Sequence, residues 1–164
     1  MRSILNVNWD SNLPIYAISQ SELQKKEIHS LLLDVDGTLV NRKSNMIPKA
    51  VKNWIIESKK LFSLYLISNN PSKKRIAKIA KLLNLMYKYN ASKPIKKVTL
   101  YAIKEIGSKP KNIAIIGDRI FTDIAVGNRC NIKTILVKRL NRDGLPIKFN
   151  LTLTIEKLIS HFIK

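Results

Sequence analysis

The 164-residue sequence predicts an α/β fold of three layers, with a central parallel five-stranded sheet between helices. Three observations predict it. Short apolar runs alternate with segments of helical period along most of the chain, the pattern of strand–helix units around a parallel sheet. One run, Leu31-Leu32-Leu33-Asp34-Val35-Asp36-Gly37-Thr38-Leu39-Val40, ends in carboxylates spaced i, i+2, followed by Gly and Thr. Polar residues then recur at the carboxyl ends of later runs, the place where an open α/β sheet binds its ligands.

Residues 1–30 form a lead-in with weak signals. Pro14 to Ile18 reads as a short edge strand or loop, and Ser21 as the cap of a short helix through Lys26. Ser30 to Val35 is the opening strand, apolar enough to be buried on both faces. Pro48 suits a first helical turn, and Ile47, Ala50, Val51, Trp54, Ile55 and Ser58 fit one face of the helix that follows. Leu61 to Ile67 is the second strand, ending in Ser68-Asn69-Asn70-Pro71. Asn70 then reads as the cap of a helix to about Asn84, with Ile76, Ala77, Ile79, Ala80 and Leu83 inward. Its other face carries Lys73, Lys74, Arg75, Lys78 and Lys81. Met86 to Tyr89 is a third strand leading to Asn90-Ala91-Ser92-Lys93-Pro94. A helix with Val98, Ala102 and Ile106 in register follows and stops at Gly107. Asn112 to Ile116 is the fourth strand, ending in Gly117-Asp118-Arg119-Ile120-Phe121-Thr122-Asp123. A short helix to about Gly127 leads to the fifth strand, Lys133 to Val137. Residues 139–150 read as a loop, and the final segment has Ile155, Leu158, Ile159 and Phe162 at helical spacing. With no linker, repeat or low-complexity tract, the expectation is a single domain over residues 1–164.

The bulk composition narrows the function. No apolar stretch approaches the roughly 20 residues of a membrane-spanning helix. The first residues lack a long apolar core, so no signal peptide is expected. The single cysteine, Cys130, allows no internal disulfide framework and suits a reducing cytoplasm; it reads as a small buried hydrophobe. The formal charge of +19 favours polyanions: nucleic acid, anionic lipid surfaces or phosphorylated substrates. A solvated, lysine-rich surface is the plainer reading of the same number. The acids say more. There are only 11, none lies between Glu57 and Glu105, and Asp34, Asp36, Asp118 and Asp123 fall in two clusters at strand ends. Carboxylates kept close together repel unless something positive stands between them. A lone Asp-Gly marks ordinary turns, but two such clusters point to a bound cation.

The strand ends carry, in order, Asp34/Asp36, Ser68-Asn69, Lys93 and Asp118/Asp123. This set suits phosphoryl transfer. A carboxylate can attack phosphorus and form an acyl-phosphate. A second, two residues on, returns to the same pocket and can protonate the leaving oxygen. Mg²⁺ takes carboxylates, waters and a phosphate oxygen, and Asp34 and Asp118 can supply the carboxylates. Ser68 and Asn69, with the amides at the start of the next helix, are the phosphate-binding candidates. Lys93 balances the nucleophile and the transferred group.

Together these residues resemble the haloacid dehalogenase (HAD) superfamily of aspartyl-phosphate enzymes. Its Asp-x-Asp-Gly-Thr is matched by Asp34 to Thr38, its second-strand Ser/Thr by Ser68, its lysine by Lys93, and its Gly-Asp-x4-Asp by Gly117-Asp118 and Asp123. The resemblance implies a Rossmann-like sheet, with Asp34 as nucleophile and Asp36 as general acid and later base. It implies Mg²⁺ on Asp34, the Asp36 carbonyl and Asp118, with Asp123 holding a metal water or Lys93. Asp at position 36 favours phosphatase or mutase chemistry.

In this superfamily, inserted cap domains select small substrates. Neither the gap from Leu39 to Leu61 nor that from Asn69 to Lys93 has room for one, so no cap is expected and the site is open or covered by a second copy. Ile67 to Pro71, Ala91-x-Lys93-Pro94 and the run from Gly117 to Arg129 look like the subclass IIIA branch that includes phosphatidylglycerophosphate phosphatases. That branch often has Asn where this chain has Gly37. The resemblance implies a lipid headgroup at an anionic membrane, met from the cytoplasmic side, with the basic face after Pro71 as the candidate contact. The alternatives are a phosphatase of soluble sugar phosphates, nucleotides or nucleic-acid ends and, in a different class, a basic nucleic-acid-binding protein. The chain shows no nucleic-acid module and no basic–aromatic interleaving.

Overall fold

The computed structural model describes residues 3–162. Six parallel strands form its sheet: β1 (Trp9–Asp10), β2 (Ser30–Leu33), β3 (Ser63–Ile67), β4 (Met86–Lys88), β5 (Ile113–Gly117) and β6 (Lys133–Leu136), in the order β1-β6-β5-β2-β3-β4. The sequence predicts five strands; the sixth is β1, a two-residue edge pairing with β6. Two residues are too few to carry a strand periodicity. Pro14 to Ile18, read as edge strand or loop, holds a single 3-10 turn over Ile15–Ala17 instead.

The helices are α1 (Gln20–Lys25), α2 (Lys49–Lys59), α3 (Lys73–Leu83), α4 (Lys96–Ile106), α5 (Ala125–Arg129) and α6 (Leu151–Phe162). Two caps differ from expectation. Ser19, not Ser21, accepts the first-turn amide of α1. In α3 the cap is Ser72, whose hydroxyl accepts from the Arg75 N–H, so the helix starts two residues later than Asn70 and Pro71 suggest. Asn70 has another task, described below. α4 stops at Gly107 in the left-handed conformation, as the sequence predicts.

β2 is buried along its whole length, and its side chains divide by the two-residue period of a strand. Leu31 and Leu33 face the cluster under α1 to α3, with Val51, Trp54, Ile55, Ile76 and Ile79. Leu32 faces the opposite cluster with Tyr65, Ala102, Ile103 and Ile115. Ala50, expected on the inner face of α2, is exposed. The chain passes from β2 outward to β3 and β4, then crosses back to β5 on the other side of β2. The switch point of the sheet therefore lies between β2 and β5, where an open α/β sheet leaves a crevice beyond its carboxyl ends. Only α2 and its flanking loops separate β2 from β3, and only α3 separates β3 from β4, so neither connection holds a cap domain. Among the described residues, no helix is long and apolar enough to cross a membrane.

Helix α5 lies close on the sheet because Gly127 has no side chain. A Cβ there would stand 2.5 Å from Thr134 Cγ2 and 2.6 Å from Ile115 Cγ2, methyls on two different strands. Gly127→Val is expected to lower stability by about 2–3 kcal/mol through overpacking, read as a lower urea midpoint with an unchanged slope.

Candidate active site

The switch point brings together every residue the sequence marks. Leu33 of β2 pairs in register with Ile116 of β5, and the Asp34 N–H donates to the Ile116 carbonyl at 2.9 Å. Asp34 and Asp118 thus leave adjacent strands side by side. Lys93 arrives from beyond β4, its backbone laid over the end of β3. Asn69 Oδ1 accepts the Lys93 N–H at 2.7 Å, and Asn69 Nδ2 donates to the Lys93 carbonyl at 3.0 Å. Asn69, expected to bind phosphate, has both its amide atoms engaged in placing the lysine, although it also lines the cavity.

Lys93 Nζ is the hub. It donates to Asp34 Oδ1 at 2.7 Å, to Asp123 Oδ1 at 2.5 Å and to the Ile67 carbonyl at 3.1 Å, with its side chain 1% exposed. Thr38 Oγ1 donates to Asp34 Oδ2 at 3.1 Å. Arg139 Nε donates to Asp118 Oδ2 at 2.5 Å. Gly37 has φ +100°, and a Cβ there would meet Asp118 Oδ2 at 2.8 Å, so this turn needs glycine twice over. Gly117 is constrained by space alone, since a Cβ would stand 2.3 Å from Asp123 Cγ.

Asp34, Asp118 and Asp123 each offer a carboxylate oxygen within 4.8 Å of the others. Burial pushes the Asp34 carboxyl up to about 8; the Lys93 ammonium opposes the rise, and the charges of Asp123 and Asp118 add to it. Burial also pushes Asp118 up to about 6, helped by Asp123 and opposed by Arg139. Burial alone would lower the Lys93 ammonium, but Asp123 and Asp34 outweigh it and hold the lysine charged. Two carboxyls reluctant to ionise, Asp34 and Asp118, crowded against an oxygen of Asp123, fit a hard divalent cation, which takes carboxylates and waters. The Asp36 side chain stands outside this triad.

Asp36 is held from a different direction. Arg75 Nη2 donates to Asp36 Oδ1, and Asn70 Nδ2 donates to Asp36 Oδ2 at 2.7 Å. Arg75 also donates to the carbonyls of Ser44 and Asn41, tying down the loop after the Asp-x-Asp turn. The sequence places Arg75 on the solvated basic face of α3; the structure makes it a site residue. Glu156, Arg119 and Arg139 were likewise unmarked. Glu156 is buried on α6 and accepts from Arg119 Nε and Nη2 at 3.0 and 2.7 Å and from the Ile120 N–H at 2.7 Å, bracing the turn that carries Asp123. Ser68, buried and lining the cavity, accepts the Asn70 N–H at 3.1 Å. The cavity holds about 460 Å³ and is rimmed by Arg42, Lys43, Arg119 and Arg142.

The comparisons agree with this geometry. The HAD-hydrolase-like family model matches residues 90–143, from the lysine loop through both late aspartates. "Probable phosphatase YqeG" of Bacillus subtilis (strain 168) is 29% identical over 138 residues, covering 83% of this chain and 80% of the relative. Among solved structures, "a predicted HAD-like family hydrolase from Porphyromonas gingivalis" superposes with a TM-score of 0.56 at 13% identity, over 81% of this chain and 98% of that one. An uncharacterized protein from Listeria monocytogenes serotype 4b gives 0.57 at 16% identity, over 77% and 86%. At such identities the superpositions speak for the fold.

Releasing Asp36 tests the arrangement. Arg75→Ala is expected to lower kcat on a soluble phosphate ester about 10- to 100-fold, less than the roughly 10²- to 10⁴-fold that acid–base catalysis supplies because Asp36 is misplaced and not removed, while the melting temperature moves little; an unchanged kcat would remove Arg75 from the site. Fold, site chemistry and sequence similarity converge on one class of enzyme, a hydrolase of phosphoric monoesters similar to the haloacid-dehalogenase-like phosphatases.

Proposed function

We propose that the chain is a Mg²⁺-dependent phosphatase working through an aspartyl-phosphate on Asp34, and that its substrate is phosphatidylglycerophosphate, the precursor of phosphatidylglycerol. The observation that carries the chemistry is the position of Asp34. Its Oδ1 is held by Lys93 and its Oδ2 by Thr38, at the floor of an open cavity with Asp36 on the wall.

Asp34 attacks phosphorus, and the bond to the leaving alkoxide breaks as Asp36 supplies its proton. Asp36 then takes a proton from a water that attacks the aspartyl-phosphate, releasing inorganic phosphate and restoring Asp34. Lys93 offsets charge on Asp34 and the transferred group. Ser68, at the end of β3, and the backbone amides that follow it are the phosphate-facing groups. Asp34, Asp118 and Asp123, with the Asp36 carbonyl, would hold Mg²⁺, which when bound screens the nucleophile from the phosphate oxygens. Asp123 also anchors Lys93.

The lipid reading is supported by three features. No cap closes over the cavity, so a bulky ester can enter. The cavity rim is basic, and the chain carries +19, which suits a headgroup at an anionic surface on the cytoplasmic side. The residues after β3 and β5 resemble the phosphatidylglycerophosphate branch.

Asp34→Asn is expected to abolish turnover while leaving circular dichroism and melting cooperative; residual wild-type hydrolysis would overturn the nucleophile assignment. Wild-type protein assayed against phosphatidylglycerophosphate micelles, sugar phosphates, nucleotides and phosphorylated nucleic-acid ends is expected to favour the lipid, and a preference for any soluble ester would replace it.

The raised carboxylates give a further outcome. Asp34 ionises near 8 and Asp118 near 6 in the folded metal-free protein, against 3.8 unfolded. The folded state therefore binds more protons across that window, and metal-free stability falls as pH rises from about 4 to about 8. Mg²⁺ needs the carboxylates deprotonated, so its affinity rises over the same window. Calorimetry is expected to show tighter binding at pH 8 than at pH 6, with a larger gain in melting temperature; pH-independent binding would place the metal elsewhere.

A further inference from the structure

The last helix turns its apolar side outward. Along α6, Leu151, Ile155, Leu158 and Phe162 recur at i, i+4, i+7 and i+11, a single stripe on a helix. They are 61%, 46%, 59% and 78% exposed. The opposite side carries Glu156, bonded to Arg119 and Ile120, and Leu153, packed against the cluster that includes Ile120 and Ile124. A surface helix ordinarily buries its apolar stripe and exposes its charges; α6 does the reverse. The same character continues back along the chain, where Leu145 and Phe149 are exposed. That loop also supplies Arg142 and Ile147 to the lining of the active-site cavity, so the apolar surface begins at the mouth of the site.

We propose that the segment from Leu145 to Phe162 is a membrane-docking surface, laying the α6 stripe into the interface of an anionic bilayer with the mouth of the active site toward the headgroups. It deepens the lipid reading of the same site and rests on it. Charge selects the occupant. Arg142, just ahead of this segment, and Lys148 within it are exposed and form no ion pair among the described residues. Arg42 and Lys43 stand exposed on the cavity rim in the same state. A second copy seated here would bring another +19 against the first, and like charge opposes that association. An anionic bilayer offers apolar volume and opposite charge together. Twelve helical residues span about 18 Å, too short to cross a bilayer but suited to lying in its interface. The basic face of α3, the contact the sequence suggests, offers only one exposed large apolar residue, Leu82.

The test is cosedimentation of the full chain with vesicles of phosphatidylcholine, alone or with phosphatidylserine. Neither lipid carries a phosphomonoester, so docking is read apart from turnover. Wild-type protein is expected to bind the phosphatidylserine vesicles and to leave phosphatidylcholine in solution. The double variant Leu158→Gln/Phe162→Gln is expected to lose binding roughly tenfold, as an interfacial helix does when its apolar area is cut, and to keep wild-type hydrolysis of a soluble ester. Absence of wild-type binding overturns the proposal, as does binding that the double variant leaves unchanged. Self-association of the wild type abolished by the double variant, read by sedimentation velocity, overturns it in favour of a second copy. Docking that survives while phosphatidylglycerophosphate is not hydrolysed would leave the surface standing and sink the substrate.

Discussion

The ammonium of Lys93 is the interaction on which the site depends. Three carboxylates whose oxygens lie within 4.8 Å cannot all ionise in a buried pocket without compensation. Lys93, buried and bonded to two of them, supplies part of it, and Arg139 on Asp118 supplies more. Asp34, Asp118 and Asp123 against Lys93 and Arg139 leave one net negative charge. A divalent cation turns that into one positive charge, the sign a phosphate dianion requires. Without a cation these five groups carry the sign that repels a phosphate dianion.

That balance depends on strand order. β2 lies between β5 and β3, so Asp34 and Asp118 leave neighbouring strands, and Lys93 can cross the end of β3 to reach both sides. The crossing is guided by backbone. The Ala91 N–H donates to the Ser68 carbonyl and the Asn90 N–H to the Asn70 carbonyl, and the Asn69 amide clasps Lys93 itself. The polar residues after β3 therefore work first as scaffold for the lysine. Asn70 adds a second service by holding Asp36 through Nδ2, while its Oδ1 accepts the Ser72 N–H just ahead of α3.

The sequence made the central strands and the four polar strand ends legible because each is local. A buried run declares itself by composition, and Asp34, Asp36, Asp118 and Asp123 stand out in a chain with only 11 acids. The supporting cations were not legible. Arg75 is one of 30 lysines and arginines, its neighbours are also basic, and its partner Asp36 lies 39 residues away. Arg139 and Glu156 are tied to the site over 21 and 37 residues, through contacts no window of sequence contains. β1 escaped for the opposite reason, since a two-residue strand exists only because β6 offers it an edge. The apolar spacing of α6 was legible, but which side faced the core was not. A buried Glu156 with three hydrogen bonds decided that.

The basic surface works at two ranges. Charge screened over roughly 8 Å at physiological salt draws the chain toward any polyanion without choosing among them. Selection must come from contacts shorter than that. At the site those contacts belong to cations already spent: Lys93 on Asp34 and Asp123, Arg75 on Asp36, Arg139 on Asp118, Arg119 on Glu156. Each is fixed by its carboxylate and so holds a place while a substrate arrives. Arg42, Lys43 and Arg142, on the rim and without carboxylate partners among the described residues, have no such task. They can follow whatever anion carries the ester, which separates holding the reacting phosphate from steering the molecule that bears it.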